Sequence, residues 1–455
     1  MRCRNPACSK DQQGGRSVHF QSVQTDPRTG AGKASQFHYA LNFRDLSSFH
    51  PEWLGRAFPI ATLSRTDRRG LERNWIVTLR IACIHQGYEL YGSDRSFAES
   101  VAALRQAYPS AEIEVVLPRD GPIRRLLEGN ASRIVVEPLW VLRRKDLPRL
   151  VATAPIALPR AIFRAARRFR RSDLVYINTS VIVDHVLAAR FFPGKALQHI
   201  HEIPEGATRT LLRRLILWGR ARLIFNSRAT REAFEAPPGI PSDVIYNGVA
   251  GPADWAPTDY DGQRSLRVLM LGRINRIKGQ EVLLAALASL PPEIRDRIET
   301  RIVGSAFEDP GLEIALREAV TSAGLASHVS VEPFLDDPTP LYRWADIVTV
   351  PSRRPESLGR VAIEAMAFGR PPLASAIGGL REVVADGVTG RLLPPGDADA
   401  LAQALAAIVS HPKALAPMAQ AGRERFNALF SEQAVAQAIA AVAADILRQG
   451  SSRPR

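Results

Sequence analysis

Cysteine is scarce in this chain: Cys3, Cys8 and Cys83 are the only three in 455 residues. So sparse and odd a set is no disulfide framework, and a reducing compartment is the expectation. Aromatic residues make up 7% and no nucleic-acid-binding motif accompanies them, so no nucleic-acid partner is expected. Long apolar runs are missing too. The best candidate, 147–163, is interrupted by Pro148, Arg149, Pro155, Pro159 and Arg160, which excludes a membrane span. The first residues lack the apolar stretch of a secretory leader, so a cytoplasmic location is expected. A metal pattern is absent as well: Cys3, Cys8 and His19 have no second ligand pair at zinc spacing, and no metal site is expected. What the chain does have is positive charge, 60 Lys and Arg against 46 Asp and Glu, a net +14. Its 45% hydrophobic and 23% charged residues are the balance of an ordinary globular protein. At roughly 100–200 residues per domain the length suggests two to four domains.

Residues 1–74 read as a poorly structured extension. Gly, Ser, Arg and Pro are scattered through it and no apolar period is sustained, so little surface can be buried to offset chain entropy. The stretch Thr29-Gly30-Ala31-Gly32-Lys33-Ala34-Ser35 approaches a phosphate-binding loop. It fails at Pro27, where the first glycine would fall, and at Ala34, where a hydroxyl is needed.

Beyond residue 75 short aliphatic runs alternate with helix-length stretches. Strands are expected at 79–85, 113–117, 133–137, 174–178, 196–201, 223–226 and 244–246, with a helix at 96–108. A linker rich in Pro, Gly and Asp covers 249–265. The alternation then restarts: strands at 266–271, 301–303, 328–332, 347–350 and 372–376, and a helix at 280–289. Near-continuous apolar strands alternating with helices indicate parallel sheets covered on both faces. The expected architecture is therefore α/β, with a first domain over 75–250 and a second over 264–430. Two such units on a hinge make a cleft, and ligands sit at the carboxyl ends of the strands. The alanine-rich helix expected over 431–447 either packs on the second domain or crosses back to the first.

The second half carries the chemistry. Gly272-Arg273-Ile274-Asn275-Arg276-Ile277-Lys278-Gly279 joins a strand to a helix. Fixed cations beside free backbone N–H groups suit a phosphate or pyrophosphate, and a solvated basic loop is the bland alternative. Glu356 follows the strand at 347–350, Gly359 lets backbone approach a ligand, and Glu364 sits on an otherwise apolar helix face. If wholly helical, the two carboxylates would stand about 12 Å apart. That suits hydroxyl groups flanking a pyrophosphate better than an acid/base pair on one bond. The structural alternative for Glu364 is a salt bridge to a neighbouring Arg.

In order, the chain shows Asn247-Gly248-Val249, Gly272-Arg273 with Lys278-Gly279, Glu356 and Glu364 with seven residues between, and Gly378-Gly379 with Glu382. This series resembles the family-4 retaining glycosyltransferases, of the group 1 type, and covers 79 to about 447. The resemblance implies the GT-B fold, two Rossmann-like doubly wound domains facing a central cleft, and a UDP- or GDP-sugar donor. It implies that Arg273 and Lys278 neutralise the donor diphosphate, that Glu356 touches sugar hydroxyls and that Glu364 holds the ribose. Asn247, Gly272 and Gly359 fall in its donor-binding motifs. In the first half, His85-Gln86-Gly87-Tyr88-Glu89-Leu90-Tyr91-Gly92-Ser93-Asp94-Arg95 is similar to the family's first glycine-bearing loop, with Gly87 and Gly92 against the sugar or phosphates. His199-Ile200-His201-Glu202 is similar to the segment whose His faces the transferred sugar, His201 being the better match. Ser357 and Leu358 depart from the family's small residue and Phe, which bears on sugar specificity.

Metal-dependent sugar transfer in the other large fold uses Asp-x-Asp pairs. Here Asp259-Tyr260-Asp261 lies in the linker and Asp397-Ala398-Asp399 opens a helix, so both read as structural and the cations must neutralise the leaving group. Arginines crowd 143–171 and 209–222 in the acceptor-side half. The basic amphipathic stretch 161–169 is expected either to meet an anionic membrane surface, at the inner face of the cell membrane, or to be an Arg-rich solvated helix. The expected partners are thus a nucleotide-sugar donor and a glycan, lipid-linked or lipopolysaccharide-type acceptor. Two rival classes are a nucleotide-sugar epimerase, which wants a carboxylate acid/base set not evident here, and a non-catalytic sugar-nucleotide binder.

Overall fold

The computed structural model describes residues 78–451, apart from 91, 143–145, 204–205 and 307–308, together with four short segments at 22–25, 32–35, 63–66 and 72–75. The chain divides into two compact units, Met1–Ile76 and Val77–Arg455. In the smaller unit Ser22–Thr25 pairs antiparallel with Gly32–Ser35, and Leu63–Thr66 with Glu72–Trp75. The remainder of the extension, including Cys3, Cys8 and His19, lies outside the described residues.

The larger unit holds two parallel sheets. The first is built from β1 (Arg80–Ile84), β2 (Glu112–Leu117), β3 (Arg133–Val136), β4 (Leu174–Asn178), β5 (Ala196–Ile200), β6 (Arg222–Phe225) and β7 (Ser242–Val244). Its spatial order is β7-β6-β5-β4-β1-β2-β3. The second contains β8 (Leu266–Leu271), β9 (Ile298–Val303), β10 (Val329–Glu332), β11 (Ile347–Val350), β12 (Pro372–Ser375) and β13 (Arg391–Leu393), in the order β10-β9-β8-β11-β12-β13. Both are doubly wound, the GT-B arrangement, and the strand order reverses at β1/β4 in one sheet and at β8/β11 in the other. Central strands such as Leu-Val-Tyr-Ile-Asn of β4 are buried along their whole length, as a sheet covered on both faces requires.

Each sheet has a core on both faces. Under one face of the first, Phe97, Val101 and Leu104 of the helix Gly92–Ala107 meet Ile439, Val442 and Ile446 of the C-terminal helix Glu432–Ser451. The last helix thus completes the first domain. Its chain leaves the second domain where Val249 N donates to Phe430 O at 2.9 Å. Each large aliphatic so buried contributes about 1.5–3 kcal/mol. The opposite face is covered by the helix Leu147–Arg171 through Ala165 and Phe169.

That helix is longer than the sequence reading gave it. It runs 25 residues through Pro155 and Pro159, so it is continuous across the interrupted stretch 147–163, and it extends well before the amphipathic stretch expected at 161–169. Its buried residues, Ala161, Ala165 and Phe169, all lie in the second half, so that half supplies the docking energy. The proline-bearing half is mostly exposed, so carbonyls left without a donor there can reach water. Elsewhere the helix expected from Ser96 already begins at Gly92, and the strand expected at 244–246 sits at Ser242–Val244.

Candidate active site

The carboxyl ends of the two central strand pairs carry the candidate residues. In the second domain β8 ends at Leu271 and runs into Gly272, whose N–H donates to Val303 O at 3.0 Å. Exposed Arg273 follows. A turn held by Asn275 Oδ1, which accepts from the backbone N of Lys278 at 3.0 Å, then presents Lys278. β11 ends at Val350 and leads to Ser352 and Glu356. Lys278 Nζ lies 2.7 Å from Glu356 Oε1, and Ser352 Oγ donates to the same oxygen. Gly378 and Gly379 support this loop from behind, Gly379 N donating to Glu356 O at 2.9 Å.

Glu356 is not helical. The helix Arg360–Ala367 starts only after Gly359, at φ 98°, so the helical separation reckoned from sequence does not apply. A side chain at 359 would be strained by that backbone and would also meet Leu380 Cδ2 at 2.4 Å.

Glu364 has both oxygens engaged. Arg360 Nε donates to Oε1 at 2.7 Å and Tyr342 Oη to Oε2 at 2.6 Å. The structural alternative considered for this residue, a salt bridge, is therefore present. Arg360 also reaches the first domain, its Nη2 lying 2.9 Å from Glu99 Oε1. Burial pushes the Glu99 carboxyl upward, against the pull of Arg360. Gly92, the first residue of the helix carrying Glu99, faces the Arg360 side chain. A second bridge joins the domains: Glu382 accepts from the backbone N of Arg228 at 2.8 Å and of Ala229 at 2.7 Å, capping the helix Arg228–Phe234.

Across the cleft, the ends of β1, β4 and β5 bring together His85, Asn178 and His201. His85 Nε2 lies 2.8 Å from Asp94 Oδ1 and its Nδ1 lies 2.9 Å from Asn178 Nδ2; His201 Nε2 lies 2.8 Å from Asn178 Oδ1. Gly87 packs so tightly here that a Cβ would fall 1.8 Å from Asp94 Oδ1. His199 lies tilted beside His201, ring centroids 3.9 Å apart, and its Nδ1 lies 2.6 Å from Tyr176 Oη. Burial, reinforced by His85, pushes His201 down to about 3, with Asn247 opposing more weakly; His199 is lowered too. Glu202 is raised by burial, and its Oε2 accepts from Ser180 Oγ at 2.9 Å.

Sequence reasoning missed Glu99, Arg360, Asp94, His85, Asn178 and Glu202 as members of the site. His85, Asp94 and Glu202 stood within quoted motifs; nothing in the chain's periodicity pairs Glu99 with Arg360. Asp259 pairs with Arg264 at 2.7 Å and Asp397 caps Ala400 N at 2.8 Å, so each Asp-x-Asp does structural work. Among the described residues no group of three or more His, Cys, Asp or Glu is placed to hold a metal.

The family model for glycosyl transferases group 1 matches residues 262–425, the second domain. A D-inositol 3-phosphate glycosyltransferase 1 of Catenulispora acidiphila is 33% identical over 323 residues, covering 70% of this chain and 67% of the relative. A D-inositol 3-phosphate glycosyltransferase of Xylanimonas cellulosilytica is 30% identical over 285 residues, 56% of this chain; the match spans only 64% of that relative's length. The match spans only 38% of a like-named Kribbella flavida protein. Among solved structures, Anabaena HepE in complex with UDP is 25% identical with a TM-score of 0.67, covering 81% of this chain and all of that one.

Proposed function

This chain belongs to the group 1 glycosyltransferases, and on that premise we propose that it moves a hexose from a nucleoside diphosphate sugar to a glycan or lipid-linked acceptor, retaining configuration and without a metal. The observation that carries the reading is the meeting of Lys278 and Glu356 at the switch point of the second sheet, 2.7 Å apart. UDP is the favoured nucleotide, because HepE was solved with UDP and with UDP-glucose.

As the sugar–phosphate bond breaks, charge accumulates on the departing diphosphate and oxocarbenium character on the sugar. Arg273 and Lys278 stabilise the first. Lys278 is shared between Glu356 and the diphosphate, which leaves the Glu356 carboxylate for the sugar hydroxyls. Glu364 meets the ribose only by sharing oxygens that Arg360 and Tyr342 already occupy. A donor phosphate oxygen accepts the acceptor's proton.

The acceptor reading rests on the first domain's surface. The helix Leu147–Arg171 exposes Val151, Ile156 and Phe163. Phe163, Phe191 and Trp218 border an apolar pocket of about 510 Å³. Arg164, Arg167 and Arg171 of the same helix line a separate, charged cavity of about 600 Å³. Apolar side chains framed by arginines suit the inner, anionic face of a cell membrane, each cation adding about 1 kcal/mol near the surface. No helix among the described residues is long and apolar enough to cross a membrane. A soluble phosphorylated polyol is the second reading, favoured by the names of the relatives.

The test is a panel of UDP- and GDP-sugars, with chelator, scored for acceptor-independent hydrolysis and for product configuration. Release of nucleoside diphosphate with a retained anomer supports the reading. An isomerised nucleotide sugar would make this an epimerase, and binding without turnover a scaffold. Sedimentation with anionic and neutral vesicles separates the acceptors: no binding to anionic vesicles at low salt removes the membrane reading.

A further inference from the structure

The face of the first sheet under the helix Leu147–Arg171 changes character halfway along its strands. Toward the carboxyl ends it is apolar, with Ala82, Ile84 and Val116 in one core with Ala165 and Phe169 of the helix. Toward the amino ends it is charged. β1 opens with Arg80, β2 carries Glu112 and Glu114, and β3 opens with Arg133; Arg80 stands beside Glu112, and Glu114 beside Arg133. A parallel sheet covered on both faces has no need of such charge. The cavity of about 600 Å³ opens here, between these strands and the last two turns of the helix. Six arginines and three glutamates line it, and the glutamates are matched within it. Glu112 pairs with Arg80 at 3.2 Å, Glu114 with Arg133 and with Arg168 Nε at 2.7 Å, and Glu137 with Arg168 Nη1 at 2.9 Å. The Arg168 side chain is only 10% exposed. Its Nε and Nη1 are held by Glu114, Glu137 and His185, while its Nη2 makes no hydrogen bond among the described residues.

Three arginines are left over, Arg164, Arg167 and Arg171, spaced with Arg168 by three and four residues and so on one helix face. Arg164 Nη2 donates to the Pro138 carbonyl at 2.8 Å, and Arg167 and Arg171 meet no acid among the described residues. Like charges one turn apart repel, and guanidinium forks match the oxygens of a phosphate. We propose that Arg164, Arg167, Arg168 and Arg171 form a second anion site, for a phosphate-bearing group, separate from the donor cleft. It lies at the amino end of β1 and the cleft at the carboxyl end, about 15 Å away along the strand. A free phosphorylated molecule and a phosphomonoester lipid headgroup share this chemistry. The site does not depend on the sugar-transfer reading, and its test uses neither donor nor acceptor.

The experiment is modification of the full chain by phenylglyoxal, which reacts with unprotected guanidinium groups, followed residue by residue by mass spectrometry. Arg170 is the internal control, exposed on the same helix but outside the cavity. One arm adds inorganic pyrophosphate, against sodium chloride at equal ionic strength. The other adds phosphatidic acid vesicles, against phosphatidylcholine vesicles. In at least one arm, modification of Arg167 and Arg171 should slow about fivefold, the mass-action result when the site is about 80% occupied, while Arg170 changes by less than about twofold. Protection by pyrophosphate assigns the site to soluble phosphorylated ligands, and protection by the phosphatidic acid vesicles alone assigns it to a headgroup. The same protection should persist in Lys278→Ala, whose change lies in the cleft; its loss there would overturn the separation of the two sites. No protection of Arg167 and Arg171 in either arm would overturn the proposal, and so would equal protection of Arg170.

Discussion

Arg360 of the second domain stands between two carboxylates, Glu364 on its own helix and Glu99 on the first domain, at 2.7 and 2.9 Å. Both carboxylates and the guanidinium are largely shielded from water, their side chains 15–20% exposed. Removing one partner leaves a charge short of compensation, so Glu99→Ala is expected to destabilise the chain by about 3 kcal/mol. It should also let the domains part. Small-angle scattering should show a larger radius of gyration for the variant without nucleotide, and Arg360→Ala should do the same.

Lys278→Ala is expected to cut kcat by about 100- to 1000-fold, the range for losing one group that meets charge developing in the transition state. Because the same substitution strips Glu356 of its partner, the pair should be strongly non-additive. The rates of Lys278→Ala, Glu356→Gln and the double variant, compared as a cycle, measure this. Near wild-type turnover in Lys278→Ala would remove the residue from the mechanism.

Glu382 acts across the cleft as a helix cap for residues 228 and 229. Its replacement by Ala should cost about 0.5–2 kcal/mol, read by urea unfolding. Gln, which keeps an accepting oxygen, should recover part of the loss.

The pH dependence of stability has a definite sign. His201 is lowered from its ordinary 6.5 to about 3, so between those values the unfolded chain binds the proton and the folded one does not. Stability falls as pH drops through that window, by up to about 1.4 kcal/mol per pH unit for this one residue. Glu99 and Glu202, shifted upward, pull the other way above their ordinary 4.5. The comparison is therefore unfolding of wild type against His201→Gln at a series of pH values. The variant should show the shallower loss from pH 6.5 downward, and parallel curves would contradict the assignment.

The four hydrophobic cores found among the described residues all lie within 77–455. A chain beginning at residue 77 should therefore fold cooperatively and keep its turnover, measured by thermal unfolding and by donor hydrolysis.

Much of this was legible in the sequence, for physical reasons that differ by element. Fully buried parallel strands write themselves as aliphatic runs, so β1, β4, β8 and β11 are plain. Arg273, Lys278 and Glu356 stand in the short loops at those strands' ends, and Glu364 on the helix that follows one of them. The contacts that close the cleft are not legible, because Glu99 and Arg360 are 261 residues apart and nothing local marks either as paired. Nor is the meeting of Asp94, His85, Asn178 and His201, which depends on three strands being neighbours in space. The full length of the helix Leu147–Arg171 is not legible either, because proline propensity is a local penalty and docking of Ala161, Ala165 and Phe169 is a tertiary gain.

The C-terminal helix gives the molecule a particular order of assembly. Its Ile439, Val442 and Ile446 lie in the first domain's core, yet they follow the whole second domain in the chain and leave the ribosome after it. The amino-terminal half must wait, with an apolar face open, while the whole second domain is synthesised and released. Chaperone dependence should therefore be greatest for nascent chains stalled after residue 430. A stop codon placed just before residue 432 should harm the half of the protein made first.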